Sequence, residues 1–111
     1  MRLPNGENAL VELAKVADYC LNPTHFRGQH KARVFASRLG LEQNDAAFVR
    51  AALHNAAKVA ENALRGAVDG FGTRYVLDFE LSGPKGSAMI RSAWIVRQNE
   101  DFPRFTSCYV L

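Results

Sequence analysis

The sequence predicts a single α+β domain in which N-terminal helices pack on a three-stranded antiparallel β-meander. Apolar residues recur at helical spacing through the first two thirds of the 111-residue chain, and from about residue 70 they alternate with polar residues. The change from a period of about 3.6 to a period of about 2 marks the change from helices to strands. A chain of this length is near the usual size of one domain, so we expect one core over residues 1–111.

The helical part is expected to contain three helices. The first begins near Ala9 and stops at Asn22, because the residue before Pro23 is pushed out of the helical region. The second runs from about His30 to Leu39. It ends at Gly40, which an apolar residue follows in the pattern of a left-handed C-terminal cap.

The third helix is expected to begin at an N-cap formed by Asn44 or Asp45, because both side chains accept hydrogen bonds from free amide groups. Its apolar residues recur at helical spacing and should form one buried stripe. The residues of this stripe are Phe48, Val49, Ala52, Leu53, Ala56, Ala60 and Leu64. The many alanines indicate a close approach to another layer, as for a helix on a sheet.

Three strands are expected after the helices, joined by short turns. In the first strand large apolar residues alternate with polar ones, which predicts one buried and one exposed face. The expected inward residues are Tyr75, Leu77, Phe79 and Leu81. The second strand, about Ser87–Arg97, has no wholly apolar face, so its register stays open and Trp94 is either core or a platform for a base. The third strand covers Arg104–Leu111.

Charge is spread unevenly along the chain, although the net charge is only +3 and the pI is about 9.1. No acidic residue occurs between Asp18 and Glu42 or between Glu80 and Glu100, and both segments carry basic residues. They could form one positive surface that attracts phosphate groups, or two unrelated solvated faces. On the first interpretation, the expected nucleic-acid-binding residues are Arg27, Arg33 and Arg97.

The composition also bears on location and cofactors. No apolar run approaches the roughly 20 residues of a membrane-spanning helix, and the N-terminus lacks the apolar segment of a signal peptide. We therefore expect a cytoplasmic domain, unless a larger protein exports it. Cys20 and Cys108 have neither disulfide-framework nor metal-ligand spacing, so we expect reduced packing residues, no metal site and no cofactor.

Candidate catalytic residues in the helical part lie around the loop before the second helix. His25 is close to Arg27, and histidine is the side chain that most readily transfers protons near neutral pH. His30 and Lys31 begin the helix, where free amides and the positive end of the helix dipole attract an anion. The alternatives are a turn histidine for His25 and a solvated base for Lys31.

In the sheet, Arg91 lies in mid-strand among apolar neighbours, and Thr106 and Tyr109 bring hydroxyl groups to the adjacent last strand. Arginine grips phosphate with two parallel hydrogen bonds, and hydroxyl groups can complete the hold on its oxygens. These residues can equally serve cross-strand pairing and solvation of the sheet edge. The sequence leaves both roles open.

The chain resembles a bacterial family without an assigned activity, whose members look like small single domains or the C-terminal ends of phage-head and polymorphic-toxin proteins. The resemblance covers nearly the whole chain. The residues that carry it are Asp18-Tyr19-Cys20-Leu21-Asn22-Pro23, His25, Gly28, Lys31, Ala32, Phe35, Tyr75-Val76, Asp78, Ser92-Ala93-Trp94-Ile95-Val96, Thr106 and Tyr109.

The predicted architecture is also similar to the barnase, EndoU, colicin D and RelE group of ribonucleases, which combine helices with an antiparallel meander that carries basic and hydroxyl residues. This similarity is one of fold. The glutamate base of barnase-like members has no clear counterpart, since Glu80, the nearest candidate, lies at a strand end.

This similarity implies a toxin-type, metal-independent endoribonuclease of a toxin–antitoxin or toxin–immunity system. A ribose 2′-hydroxyl would attack the adjacent phosphate, which requires a proton acceptor, a proton donor and positive charge. The implied roles are base or acid for His25, alternative proton shuttle for His30, oxyanion clamp for Lys31 and Arg91, and positioning for Thr106 and Tyr109. The expected partners are RNA and a small, acidic antitoxin or immunity protein that covers the basic face.

Two other functions fit the same residues. A noncatalytic module of a phage or toxin–antitoxin system would use the basic surface to bind nucleic acid or an acidic protein, with salt-sensitive affinity and no cleavage. A transferase such as an ADP-ribosylating toxin would also be small and basic, and its activity would depend on NAD.

Overall fold

The change of period near residue 70 corresponds to a change of architecture in the computed structural model, which describes residues 1–111. The α+β class and the antiparallel sheet are confirmed, but the sheet has four strands in the order β1-β2-β3-β4. The strands are β1 (Leu64–Asp69), β2 (Gly72–Gly83), β3 (Gly86–Arg97) and β4 (Arg104–Val110).

The prediction of three strands was wrong because β1 has no buried face. Every residue of β1 is exposed, so the strand lacks the alternation that revealed the others. It pairs only with β2, and its register shifts between Arg65 and Val68, around Gly66. An edge strand of this kind is formed by backbone hydrogen bonds alone and leaves no apolar period in the sequence.

The helices precede the sheet and are short. A 3₁₀ turn at Gly6–Asn8 opens the chain. The helical segments are α1 (Leu13–Lys15, continued as a π-helical turn over Val16–Cys20), α2 (Gln29–Val34, continued over Phe35–Leu39) and α3 (Ala46–Val59, after a 3₁₀ turn over Gln43–Asp45). The predicted end of the second helix is confirmed, because Gly40 has a φ of 71° in the left-handed region, where glycine is favoured.

The third helix differs from its prediction at both ends. Asp45 occupies the N-cap position of α3, but its side chain makes no bond to the free amides of that helix, so the predicted cap is not formed. Its carboxylate instead accepts the Glu42 N–H at 2.9 Å, in a capping box that opens the preceding 3₁₀ turn with Glu42 as N-cap. The helix ends at Val59, because Ala60 is extended and the next residues pair with the N-terminal segment. Leu64 therefore belongs to β1 and is 67% exposed, and Phe48 is 52% exposed, so neither joins the buried stripe.

The core lies between the helices and the inner face of the sheet. Its largest fully buried side chains include Trp94, Phe35 and Phe105, so the core interpretation of Trp94 is confirmed. The one buried polar side chain that is not a thiol, Ser92, donates to the Leu77 carbonyl at 2.6 Å and accepts from Trp94 Nε1 at 2.9 Å. These bonds supply the partners that buried polar groups require.

The pairing of β3 resolves the register that the sequence left open. Ala88, Ile90, Ser92 and Trp94 face the core, and Met89, Arg91 and Ala93 face outward, whereas Ile95 is buried although it alternates with the core residues. The helices pack against the inner face, so most of the outer face around Met89 and Arg91 meets solvent, as antiparallel sheets allow. None of the helices has the length and apolar character that a membrane crossing requires.

Candidate functional site

A cluster of polar and aromatic side chains forms where α2 lies beside the edge strand β4. At its centre is Lys31 of α2, whose Nζ is 5.4 Å from the centre of the Tyr19 ring and 5.3 Å from that of the Tyr109 ring. An ammonium group over an aromatic ring is attracted by the ring quadrupole. Because Tyr19 belongs to α1 and Tyr109 to β4, the half-buried Lys31 links three elements at one point.

Arg91 and Asp78 continue this cluster across the outer face of the sheet. The register places Asp78 opposite Arg91 and Arg91 opposite Tyr109. The Arg91 guanidinium donates Nε–H to Asp78 Oδ1 at 2.9 Å and Nη2–H to Oδ2 at 2.8 Å. These bonds hold the pKa of Asp78 below its usual range and raise that of Arg91, to which Tyr109 also contributes. Both groups are therefore ionised at neutral pH.

The Asp78–Arg91 pair predicts a specific loss of stability in acid. Because the pKa of Asp78 is lower in the folded chain than in the unfolded chain, the stabilisation is present above the unfolded pKa, about 3.9, and disappears as the pH falls through the folded value. Asp78→Asn should thus be less stable than the parent at pH 6, and the difference should shrink below about pH 4. Urea unfolding at a series of pH values measures it; a difference independent of pH would contradict this linkage.

His25 has a defined structural task in the loop before α2. Its Nδ1 accepts the backbone N–H groups of Arg27 and Gly28, both at 3.0 Å, and its ring meets the Tyr19 ring edge-on with 4.8 Å between centres. Gly28 is required here, since a Cβ atom would collide with the Tyr19 carbonyl. With Nδ1 engaged as an acceptor, only Nε2 of His25 remains to meet a ligand.

His30 directly precedes Lys31 in the chain, and its ring makes no hydrogen bond to its own loop. It is exposed at the start of α2 and lines a cavity of about 240 Å³ together with Lys31, Val34, Tyr109 and Val110. One water takes about 30 Å³ of the liquid, so this cavity has room for a phosphate group. The side chains of a histidine, a lysine and a tyrosine thus border one small space, whose accessible wall is formed mostly by carbon atoms.

The remaining predicted site residues lie elsewhere or are engaged. Thr106 donates its hydroxyl to the Ala93 carbonyl at 2.9 Å, where the β3–β4 register shifts, and Arg27 is exposed in the loop. Arg33 lines a separate groove of about 570 Å³ between α2 and the segment before α3. Arg97 ends β3 opposite Gly72, about 20 Å along the strand from Arg91. The roles given to these four residues stay predictions.

The structure adds Tyr19 and Asp78, for which the sequence predicts no role. Both fall within the residues that carry the family resemblance, which was the only available signal. Asp78 had the pattern of an ordinary outward residue of a strand, and Tyr19 that of a helix end. Their importance lies in their partners, Arg91 and Lys31, each 12 or more residues away in the chain.

Together, the fold and this cluster define a small α+β domain with a basic, tyrosine-lined site at one edge of its sheet. The chain belongs to the DUF6883 family, described as a domain of unknown function, which it matches over residues 2–111. A comparison with curated protein sequences found no match.

One solved structure with a similar fold is the contact-dependent growth inhibition toxin–immunity protein complex from Klebsiella pneumoniae 342. A chain of that complex superimposes with a TM-score of 0.71 and 18% identity, over 91% of this chain and 98% of its own length. At this identity the likeness establishes a shared fold, and a fold by itself does not specify a function.

Proposed function

We propose that this domain is a toxin of a toxin–immunity system and that it cleaves RNA without a metal ion. The observation that carries the proposal is the cavity at the β4 edge, where His30, Lys31 and Tyr109 meet beside Arg91. Cleavage by a neighbouring 2′-hydroxyl needs a proton-transfer group and positive charge near the phosphate. His30 and Lys31 border the space itself, and Arg91 lies next to Tyr109 on the adjacent strand. The fold shared with a chain of a toxin–immunity complex supports the same class.

Charge favours the toxin over the immunity protein as the role of this chain. The complex with the similar fold contains a toxin and an immunity protein, so the shared fold does not show which of the two this chain resembles in function. This chain has a net charge of +3, the half-buried Lys31 borders the cavity, and Arg27 is exposed in the loop before α2, which suits a polyanionic substrate. A protein that neutralises such a surface should itself be acidic, so we expect a small acidic immunity protein as partner.

In the proposed reaction His30 takes the proton of the ribose 2′-hydroxyl as its oxygen attacks the adjacent phosphorus. Lys31 and Arg91 stabilise the charge that develops on the nonbridging oxygens, and Tyr109 positions the group. The bond to the 5′-oxygen breaks, and this oxygen receives a proton from the imidazolium or from water. The products are a 2′,3′-cyclic phosphate and a 5′-hydroxyl.

The contacts favour His30 over His25 for proton transfer. A base must bind a proton and release it, and protonating His25 at Nδ1 would break both bonds to the Arg27 and Gly28 amides. If Nδ1 stays an acceptor, Nε2 carries the proton and can only donate. We therefore assign His25 to shaping the loop and donating to a phosphate oxygen, and His30 to proton transfer.

The direct test is incubation of the purified, folded protein with total cellular RNA at neutral pH, with and without EDTA. We expect fragments that end in 2′,3′-cyclic phosphate, cleavage unaffected by the chelator, and growth inhibition on expression that a small acidic protein encoded next to this chain relieves. Absence of cleavage, or cleavage that persists in the His25→Ala/His30→Ala double variant, would exclude this mechanism.

The second candidate is a noncatalytic nucleic-acid-binding module, and one observation favours it. Arg91 is already paired with Asp78 by two hydrogen bonds, which reduces the positive charge available to a phosphorane. Such a module would bind RNA with strongly salt-dependent affinity, leave it intact and cause no growth inhibition.

A further inference from the structure

Phe26, in the loop before α2, is the most exposed large apolar side chain of this protein, at 87%. Its neighbours Thr24 and Arg27 are polar and exposed as well. A single exposed apolar residue is common on protein surfaces, so its exposure alone carries no argument. The hydrogen bonds that fix its loop, and the ring contacts that connect this loop to Lys31, distinguish Phe26 from other exposed residues.

The loop that carries Phe26 is held by its own hydrogen bonds. The Asn22 carboxamide oxygen accepts the Thr24 N–H at 3.0 Å and the Thr24 hydroxyl at 2.8 Å. His25 Nδ1 accepts the N–H groups of Arg27 and Gly28, which follow Phe26. The Phe26 carbonyl accepts from Gln29 Nε2 at 3.4 Å. A loop fixed on both sides of an aromatic ring presents that ring at a low entropic cost of binding.

Phe26 is also tied to the cavity through a short path of contacts. It follows His25, whose ring touches Tyr19, whose ring in turn lies 5.4 Å from Lys31 Nζ. The segment between Asp18 and Glu42 holds no acid that would repel a phosphate chain. The exposed Arg27 follows Phe26, and an exposed aromatic ring beside cationic side chains is one arrangement by which proteins bind single-stranded nucleic acid.

We propose that Phe26 is a stacking platform for an unpaired base next to the phosphate held at Lys31, so that the substrate is single-stranded RNA. The proposal rests on the proposed function and specifies its substrate class. A protein partner is the less favoured occupant, because aromatic anchors of protein interfaces sit within well-packed patches, whereas polar groups surround Phe26.

The test uses a single-stranded 2′-O-methyl oligoribonucleotide, which cannot be cleaved by a 2′-hydroxyl, and a duplex of the same sequence. Because stacking on one base is worth about 1–3 kcal/mol, Phe26→Ala should weaken binding of the single strand by roughly 5- to 150-fold. Phe26→Trp should retain affinity and Phe26→Leu should not. Duplex binding should change little. Phe71→Ala removes an aromatic ring that is 74% exposed at the β1–β2 turn, and serves as the matched control without effect.

The stacking proposal is rejected if Phe26→Ala binds the single strand as tightly as the parent does, or if Phe26→Leu retains the parental affinity. It is also rejected if the parent protein binds neither the single strand nor the duplex. It is also overturned if the substitution weakens only binding of the immunity protein. Phe26-dependent binding of the single strand by a protein that leaves all-ribose RNA intact would support stacking and reject the ribonuclease. If Phe26→Ala cleaves RNA and binds the single strand as well as the parent does, the ribonuclease is supported and stacking is rejected.

Discussion

His30→Ala is expected to lower the rate of RNA cleavage by about 10²–10⁴-fold, the usual contribution of a general acid or base. His30 borders the same cavity as Lys31 and Tyr109, and its ring makes no hydrogen bond that would hold it in a structural role. The side chain is exposed, so its loss should change the free energy of unfolding by less than about 0.5 kcal/mol. The substitution should therefore lower the cleavage rate strongly and leave the free energy of unfolding almost unchanged.

The matched control is His54→Ala, which removes a histidine from α3, outside the cluster. It should cleave RNA at the parental rate. Single-turnover rates on one defined RNA, measured beside unfolding curves for each variant, compare the two substitutions directly. If His30→Ala and the parent protein cleave at equal rates, another group must transfer the proton. The main reason for placing the reaction in this cavity would then be lost.

Leu77→Ala is expected to cost about 2–5 kcal/mol of stability, as buried large-to-small substitutions do. Leu77 is fully buried in the core cluster that includes Leu53 of α3, and Phe79, two residues on, packs against the same cluster. Removing the leucine leaves a cavity between the sheet and the helices that these closely packed layers can fill only in part. A loss of this size is a large part of the total stability of a small domain.

Val68→Ala provides the comparison, since Val68 is 63% exposed in β1 and should change stability by less than about 0.5 kcal/mol. Urea unfolding followed by far-ultraviolet circular dichroism measures both variants. Unfolding midpoints that are equal for Leu77→Ala and Val68→Ala would contradict the packing of β2 beneath the helices.

The sequence alone determined the elements whose apolar period reflects burial on one side. The inward residues Tyr75, Leu77 and Leu81 of β2, and the helix that ends at Gly40, could all be predicted. Each depends on local chemistry: alternation across a pleat, or the freedom of glycine in the left-handed region. The residues that meet at the cavity, His30, Lys31 and Tyr109, could be proposed individually from their types and neighbours.

Only the tertiary structure decided how these residues meet. β1 could not be predicted, because a strand exposed on both faces has no burial pattern in its sequence. The pairing of Asp78 with Arg91 depends on the register of β2 and β3, which the apolar period alone does not specify. Lys31 lies between Tyr19 and Tyr109, and His25 gives one nitrogen to its own loop. A local pattern reports which side of an element is buried. Which side chains share a cavity follows from the packing of whole elements against each other.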